Sequence, residues 1–375
     1  MSLYLHFPFC KRKCDYCDFN SYADLESLIF PYAEAIKAEI KTYLPQSNSI
    51  RSVFFGGGTP SYIPVRILAD LLLFIKENFR LAPDAEITLE TNPGTISGSE
   101  LAYLKTAGFN RLSIGLQAAQ NRLLNGIGSI HSREQFLSVY KAARDTGFSN
   151  IGIDIMFGLP GQLLQDWDET LEQVTALEPE HISAYGLQLE AGTKLAADIA
   201  GGLTQLPSEE LVVEMMQRAM DHLLRKGYRH YEISNYARPG FESVHNLRYW
   251  YGGDYLGFGA GACSTVNNQR WSNIKEPWTY VRRLSEGVSV IAEREELDVQ
   301  TRAIEALMLG LRLRDGVDLR QYQNEYGINL FETAGSELKS LSGQKLITVN
   351  DSRLALTDAG IILSNMVIGK LLNGI

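Results

Sequence analysis

The stretch HFPFCKRKCDYCDF, from His6 to Phe19, holds three of the four cysteines, Cys10, Cys14 and Cys17; the fourth, Cys263, lies far downstream. It emerges from an apolar run, SLYLHFPF, that reads as a β-strand. A structural zinc site usually draws four ligands in two pairs, and here the second pair is missing, so zinc would need His6 or a distant group. Buried free cysteines are the plainer reading, but KRKCDYCDF is polar and loop-like, a poor setting for burial. Three thiolates in one loop suit a four-iron (4Fe-4S) cluster, with one iron left open to a small molecule. Lys11, Arg12 and Lys13 would offset the negative charge of the thiolates and cluster.

Downstream, strands and helices alternate. After SLYLHFPF comes the helical stretch LESLIFPYAEAIKAEIKTYL, then SVFFGGG (strand) and VRILADLLLFIKENF (helix). EITLETNPG is followed by a capped helix, SGSELAYLKTAGF, that ends at Gly108. RLSIGLQ precedes SREQFLSVYKAARDTGF, NIGIDIMFGLP precedes LLQDWDETLEQVTAL, and HISAYGLQLE precedes PSEELVVEMMQRAMDHLLRKG. Short apolar strands with helical crossovers imply an α/β fold with a parallel sheet. Six units are fewer than the eight of a full barrel, so a partial (βα)6 TIM-like barrel is the expected closure. A doubly wound open sheet is the alternative. The cysteines would then sit at the C-terminal face of the sheet, where such folds place their chemistry.

The character changes near Tyr231. Residues 231–296 form a Gly/Tyr-rich connecting segment with short strands, and residues 297–375 form a C-terminal unit of helices and a hairpin turning at Asn350–Asp351. Helices followed by a two-stranded wing suggest a winged helix. The expected division is therefore 1–230, 231–296 and 297–375.

Composition bounds the class. The chain has 375 residues, 45% hydrophobic and 21% charged, ordinary for a globular protein with a full core. Four cysteines are too few for a disulfide scaffold and point to a reduced, cytoplasmic setting. The N-terminus lacks a basic signal-peptide region, and no apolar run reaches the roughly 18 residues of a membrane span, which leaves peripheral association open. The net charge of −9 disfavours an extended nucleic-acid footprint.

Together, YLHFPFCKRKCDYCDFNS, FFGGGTPS, LETNPG, RLSIGLQ, DIMFGLPGQ and HNLRYW resemble the radical S-adenosylmethionine (SAM) superfamily. Within it they resemble the oxygen-independent coproporphyrinogen III oxidase-like family and its heme-chaperone branch. The resemblance covers essentially the whole chain. It implies a 4Fe-4S cluster on Cys10, Cys14 and Cys17, and SAM on the open iron. It implies SAM contacts at Tyr4, at Tyr16 and Asp18 beside Cys17, at Gly57, Gly58 and Thr59 of the glycine turn, and at Glu90, Gln117 and Asp154. The last three end successive strands, and a carboxylate on a buried strand already asks for a partner. One departure stands out: Ser129 occupies a position where the family commonly has Arg, which is expected to hold the SAM carboxylate. Arg122 is the nearby candidate to compensate.

Two functions follow from the resemblance. An oxidase would cleave SAM reductively, with an electron donor, to decarboxylate a porphyrinogen. A chaperone would bind heme and pass it to an acceptor protein. Only nine residues precede Cys10, and Phe19 stands where true oxidases carry a fourth cysteine; both features favour the chaperone. The HNLRYW motif supplies His245 as a candidate heme ligand, with aromatic rings suited to a flat macrocycle. Cys263, between alanine and glycine neighbours, reads as a small buried residue. A third reading, a winged-helix regulator with a redox-sensing cluster, predicts salt-sensitive DNA binding and is disfavoured by the acidic charge.

Overall fold

Six strands lie side by side in chain order, all parallel: β1 (Ser2–Phe7), β2 (Ile50–Gly57), β3 (Leu81–Thr91), β4 (Arg111–Gln117), β5 (Ile151–Phe157) and β6 (His181–Gly186). In this computed structural model, which describes residues 1–44 and 49–373, helices cross between successive strands at Ile29–Thr42, Val65–Asn78, Gly98–Ala107, Arg133–Asp145 and Leu164–Ala176. The strand order is linear and does not close on itself, so the sheet is a partial barrel.

The local signals act where they were expected. Ser97 and Glu100 form a reciprocal capping box, and Gly108 ends that helix at φ 111°, where a side chain would be strained. The hairpin around Asn350–Asp351 forms from Ile347–Val349 and Arg353–Leu356.

Side-chain alternation gives the sheet two different faces. On β4, Leu112, Ile114 and Leu116 pack into the hydrophobic core, while Arg111, Ser113, Gly115 and Gln117 face a cavity. On β3, Ile87 and Leu89 join the core and Glu90 faces inward; on β5, Ile153 and Ile155 join the core and Asp154 faces inward. The strands are therefore apolar toward the helices and polar toward the lumen.

Residues from Arg229 onward extend this sheet at both edges. β8 (Asn235–Ala237) pairs antiparallel with β6, and β7 (Arg229–His230) pairs antiparallel with β8. At the other edge β9 (Tyr255–Phe258) runs parallel to β1, followed by β10 (Cys263–Val266), β11 (Gln269–Asn273) and β12 (Ile291–Glu296). One hydrophobic core contains residues from Met1 to Val290, and a second contains residues from Ala303 to Leu371. The second surrounds a three-stranded antiparallel sheet of β13 (Val317–Asp318), β14 (Ile347–Val349) and β15 (Arg353–Leu356) with its flanking helices. Among the described residues, no helix is long and apolar enough to cross a membrane.

Candidate functional site

The cysteine loop leaves β1 and is pinned from several directions. Cys10 N–H donates to Tyr22 O, and Tyr22 N–H returns to Pro8 O. Asp15 N–H donates to Ile127 O, and the Asp15 carboxylate pairs with Lys194 at 2.9 Å. The Asn20 amide reaches Ala260 O and Lys275 O, tying the loop to the strands beyond β9. These contacts hold the three thiols without help from each other: all are free, Cys10 buried and Cys14 and Cys17 half-buried.

The glycine turn after β2 is the wall behind them. Gly58 has no room for a side chain: a Cβ would lie 2.8 Å from Phe9 O and 3.0 Å from Cys10 Sγ. Gly57 sits at φ 116°, and its N–H donates to Glu90 Oε2 at 3.1 Å. Thr59 Oγ1 donates to Cys10 Sγ at 3.4 Å.

The thiols and the polar lumen of the barrel border one cavity of about 730 Å³, within the usual range for small-molecule sites. Tyr4, Cys10, Cys14, Tyr16, Cys17 and Asp18 line it from the first strand and loop. Gly57, Gly58, Thr59, Glu90, Gln117 and Asp154 line it from the next four strands, and His245 from a distant helix. Glu90, Gln117 and Asp154 do not lie at one level as their positions at strand ends suggest. Glu90 is opposite Ser113, and Asp154 is opposite Gly115, because neighbouring strands are staggered. Gln117 reaches the lumen from a left-handed backbone, φ 68°, at an irregularity in the β4–β5 pairing. For a non-glycine residue such a conformation costs on the order of 1–3 kcal/mol and is found mostly where function holds it.

Burial shapes the charges. It pushes the Glu90 carboxyl up to about 8, with the neighbouring Asp154 adding to the effect. Asp154 is also raised by burial, against the hydrogen bonds from Ser183 and Ser113. Burial pushes the Cys14 thiol up to about 12, and the adjacent Cys17 and Cys10 raise it further. Burial raises Cys17 as well, and two thiols that resist ionising beside a third sulfur favour a cationic group that would neutralise them together. The residues therefore fit an iron–sulfur cluster by their chemistry. His6, the nearest candidate to complete a zinc set, has both ring nitrogens occupied: Nδ1 with Tyr4 OH and Nε2 with Asn20 O. Among the described residues no three His, Cys, Asp or Glu side chains converge as a single ion would need.

HNLRYW forms a helix, Val244–Trp250, not a loop. Glu86 of β3 accepts the N–H groups of Val244 and His245 at 3.1 Å each and so anchors its first turn. His245 is 1% exposed and stacks on Phe54 at 4.8 Å between ring centroids. Ser52 donates to Ser2, so its oxygen accepts from His245 Nδ1–H at 2.9 Å. This leaves the Nε2 lone pair facing Tyr249 OH, also at 2.9 Å. The tautomer is the one a metal-ligating imidazole uses, with its lone pair capped by a phenol. Asn246 and Tyr249 also line the cavity, whereas Trp250 turns away and lies under Arg312 of the C-terminal unit.

Two expectations are corrected. Arg122 does not face the cavity; it binds Gly161 O and Asp166. Ser129, in the position of the family's Arg, hydrogen-bonds His131. Cys263 is exposed, not buried, because strand alternation puts it on the face opposite the buried Ser264 of β10. Sequence reading also missed Arg111, Ser113, Ser183 and Tyr185, which line the lumen. The alternation in RLSIGLQ was the available signal, since residues at i, i+2 and i+4 share a strand face.

Residues 4–174 match the model of the radical SAM superfamily, and residues 297–363 match the HemN C-terminal domain. The chain is 34% identical to "Heme chaperone HemW" of Bacillus subtilis over 374 residues, 99% of each chain. It is 34% identical to the protein of the same name from Lactococcus lactis, covering 99% of this chain and 97% of that one. It is 31% identical to the mitochondrial "Radical S-adenosyl methionine domain-containing protein 1" of Danio rerio, covering 99% and 86%. Coproporphyrinogen III oxidase (HemN) from Escherichia coli, a radical SAM enzyme, has the same fold: TM-score 0.87 at 24% identity, over 100% of this chain and 90% of that one.

Proposed function

Because the chain belongs to the radical SAM superfamily and, within it, to the family of the heme chaperone HemW, we propose that it binds heme and delivers it to an acceptor protein. Cys10, Cys14 and Cys17 would hold a 4Fe-4S cluster. Tyr4, Tyr16, Asp18, Gly57, Gly58, Thr59, Glu90, Gln117 and Asp154 would bind SAM beside it. His245 would take the heme iron. When bound, the cluster would supply a single electron to SAM.

The observation that carries this reading is the shared cavity: three loop thiols, the polar face of the sheet and the His245–Tyr249 pair border one space. The chain's own contributions are positional. Gly57 N–H orients the Glu90 carboxylate, Ser113 and Ser183 hold Asp154, and Thr59 directs Cys10. Tyr4 and Phe54 form an aromatic wall against His245 that suits a flat macrocycle. The family likeness favours a carrier over an oxidase, and Phe19 in place of a fourth loop cysteine agrees.

The test is anaerobic reconstitution with iron and sulfide, then incubation with heme or with coproporphyrinogen III. Tight heme uptake followed by transfer to an apo-hemoprotein supports the carrier. Turnover of coproporphyrinogen on the order of one per second would instead make the protein the oxidase.

A further inference from the structure

The helix of His245 and the C-terminal unit meet on one short strip of chain, residues 231–233. Ile233 N–H donates to Arg312 O at 3.0 Å, and Arg314 N–H donates to Tyr231 O at 3.0 Å. Between them Glu232 bridges Leu313 in antiparallel sense. Residues 312–314 follow the helix Val299–Gly310 of the C-terminal unit. Tyr231, Glu232 and Leu313 are all buried, so the backbone bonds of the strip are shielded from competing water.

Both ends of the helix Val244–Trp250 are tied to that strip. At the N-terminal end, the Ser243 side chain caps the helix by accepting from Asn246 N–H, and Ser243 N–H donates to Tyr231 OH at 3.3 Å. At the C-terminal end, the Trp250 ring lies under the Arg312 guanidinium, 5.7 Å from Cζ to the ring centroid, within reach of a cation–π contact. Trp250 Nε1 is buried and makes no hydrogen bond among the described residues, so the indole is held by its faces and edges alone. Burial raises the Glu232 carboxyl to about 7, and the Arg312 charge opposes that rise. One guanidinium therefore serves both the strip and the helix. Trp250 follows Tyr249, whose phenol covers the His245 lone pair, so any shift of this last turn moves the cover of the ligand.

We propose that Arg312 is a positioning residue for the heme ligand: from the C-terminal unit it fixes the last turn of the helix through Trp250, and so sets where His245 and Tyr249 stand in the cavity. This rests on the heme-binding role of His245 proposed above. The hold on heme then depends on how the C-terminal unit is docked against residues 231–233, because the same three residues carry both contacts.

Hydrogen exchange on heme-free, cluster-reconstituted full-length protein reads the hold on the helix, and heme dissociation reads its consequence. Arg312→Leu and Trp250→Leu are each expected to cut the protection of the 244–250 amides about threefold or more relative to β3 and β4 in the same molecule, on the scale of one cation–π contact. Heme dissociation should quicken by a similar factor, with a shifted heme absorption band. Arg312→Lys keeps the cation and should restore both readouts to within about twofold of wild type. A merely structural role would lower the melting temperature and leave the 244–250 amides as protected, relative to the strands, as in wild type; that result would overturn the proposal. So would faster exchange with unchanged heme dissociation. If Arg312→Leu fails to fold, Trp250→Leu decides, since it leaves Arg312 beside Glu232. Failure of wild-type protein to bind heme would sink the carrier function, while the exchange comparison would still decide whether Arg312 positions the helix.

Discussion

The Nε2 atom of His245 lies 2.9 Å from the phenol oxygen of Tyr249, four residues on along one helical turn. Nδ1 is held by Ser52, so the one lone pair able to bind a metal is the one Tyr249 covers. Burial also depresses His245 to about 3, so the ring is neutral, as a ligand must be. Heme ligation therefore requires the phenol to move. Tyr249→Phe is expected to tighten heme binding about fivefold, the worth of one neutral hydrogen bond, and His245→Ala to abolish the ligand's contribution to the heme spectrum. Titration of both variants by absorption checks this; an unchanged spectrum in His245→Ala removes the residue from the site.

The cluster assignment makes a sharp division among the four cysteines. Replacing Cys10, Cys14 or Cys17 by Ala should drop bound iron from about four per chain to a small fraction of that. Cys263→Ala, at an exposed side chain far from the thiol loop in sequence, should retain all of it. Iron and sulfide analysis of anaerobic samples reads the result.

Gly58→Ala tests the support behind the loop. Its methyl would sit 2.8 Å from Phe9 O and 3.0 Å from Cys10 Sγ, where backbone rather than a flexible side chain must yield. We expect displaced Cys10 and a cluster lost on brief exposure to air, with circular dichroism near wild type. A cluster as durable as that of wild type contradicts this close approach.

Glu90 gives a pH signature. Its carboxyl is raised from 4.5 to about 8 by burial, so the folded state holds a proton that the unfolded state releases. Its contribution to stability is fully present below about pH 4.5 and is lost as pH rises to about 8. Glu90→Gln, neutral throughout, should be more stable than wild type by on the order of 1–4 kcal/mol at pH 9, the gap shrinking as pH falls. Urea unfolding at several pH values measures it.

Glu39 has a structural role at the edge where β9 joins β1. Its carboxylate accepts from Gly259 N–H, Asn273 Nδ2 and Tyr280 OH. Tyr32 alongside accepts from Ala260 N–H and donates to His6 O. Glu39→Leu leaves three buried donors unpaired and should destabilise the protein by on the order of 3–5 kcal/mol, lowering the melting temperature while leaving cluster content per folded chain unchanged.

The strand–helix alternation, the six parallel strands and the thiol loop after the first of them were all legible, since each rests on local periodicity and spacing. The helix of His245 was not. HNLRYW is too short and too polar to announce a helix, and Glu86, from a strand some 160 residues earlier, helps to hold it in place. The extension of the sheet by β9 to β12 was hidden for a similar reason: those strands are short, and only pairing with β1 and with one another fixes them.

The amino-acid order by itself determined which chemical groups this protein brings to bear, because strand alternation obliges Glu90, Gln117 and Asp154 to project from sheet faces near the thiol loop. Only the tertiary structure decided how those groups are used. It capped the lone pair of His245 and turned Arg122 away. Such relationships depend on stagger between strands and on contacts far apart in the chain, and neither quantity is written in any local stretch of residues.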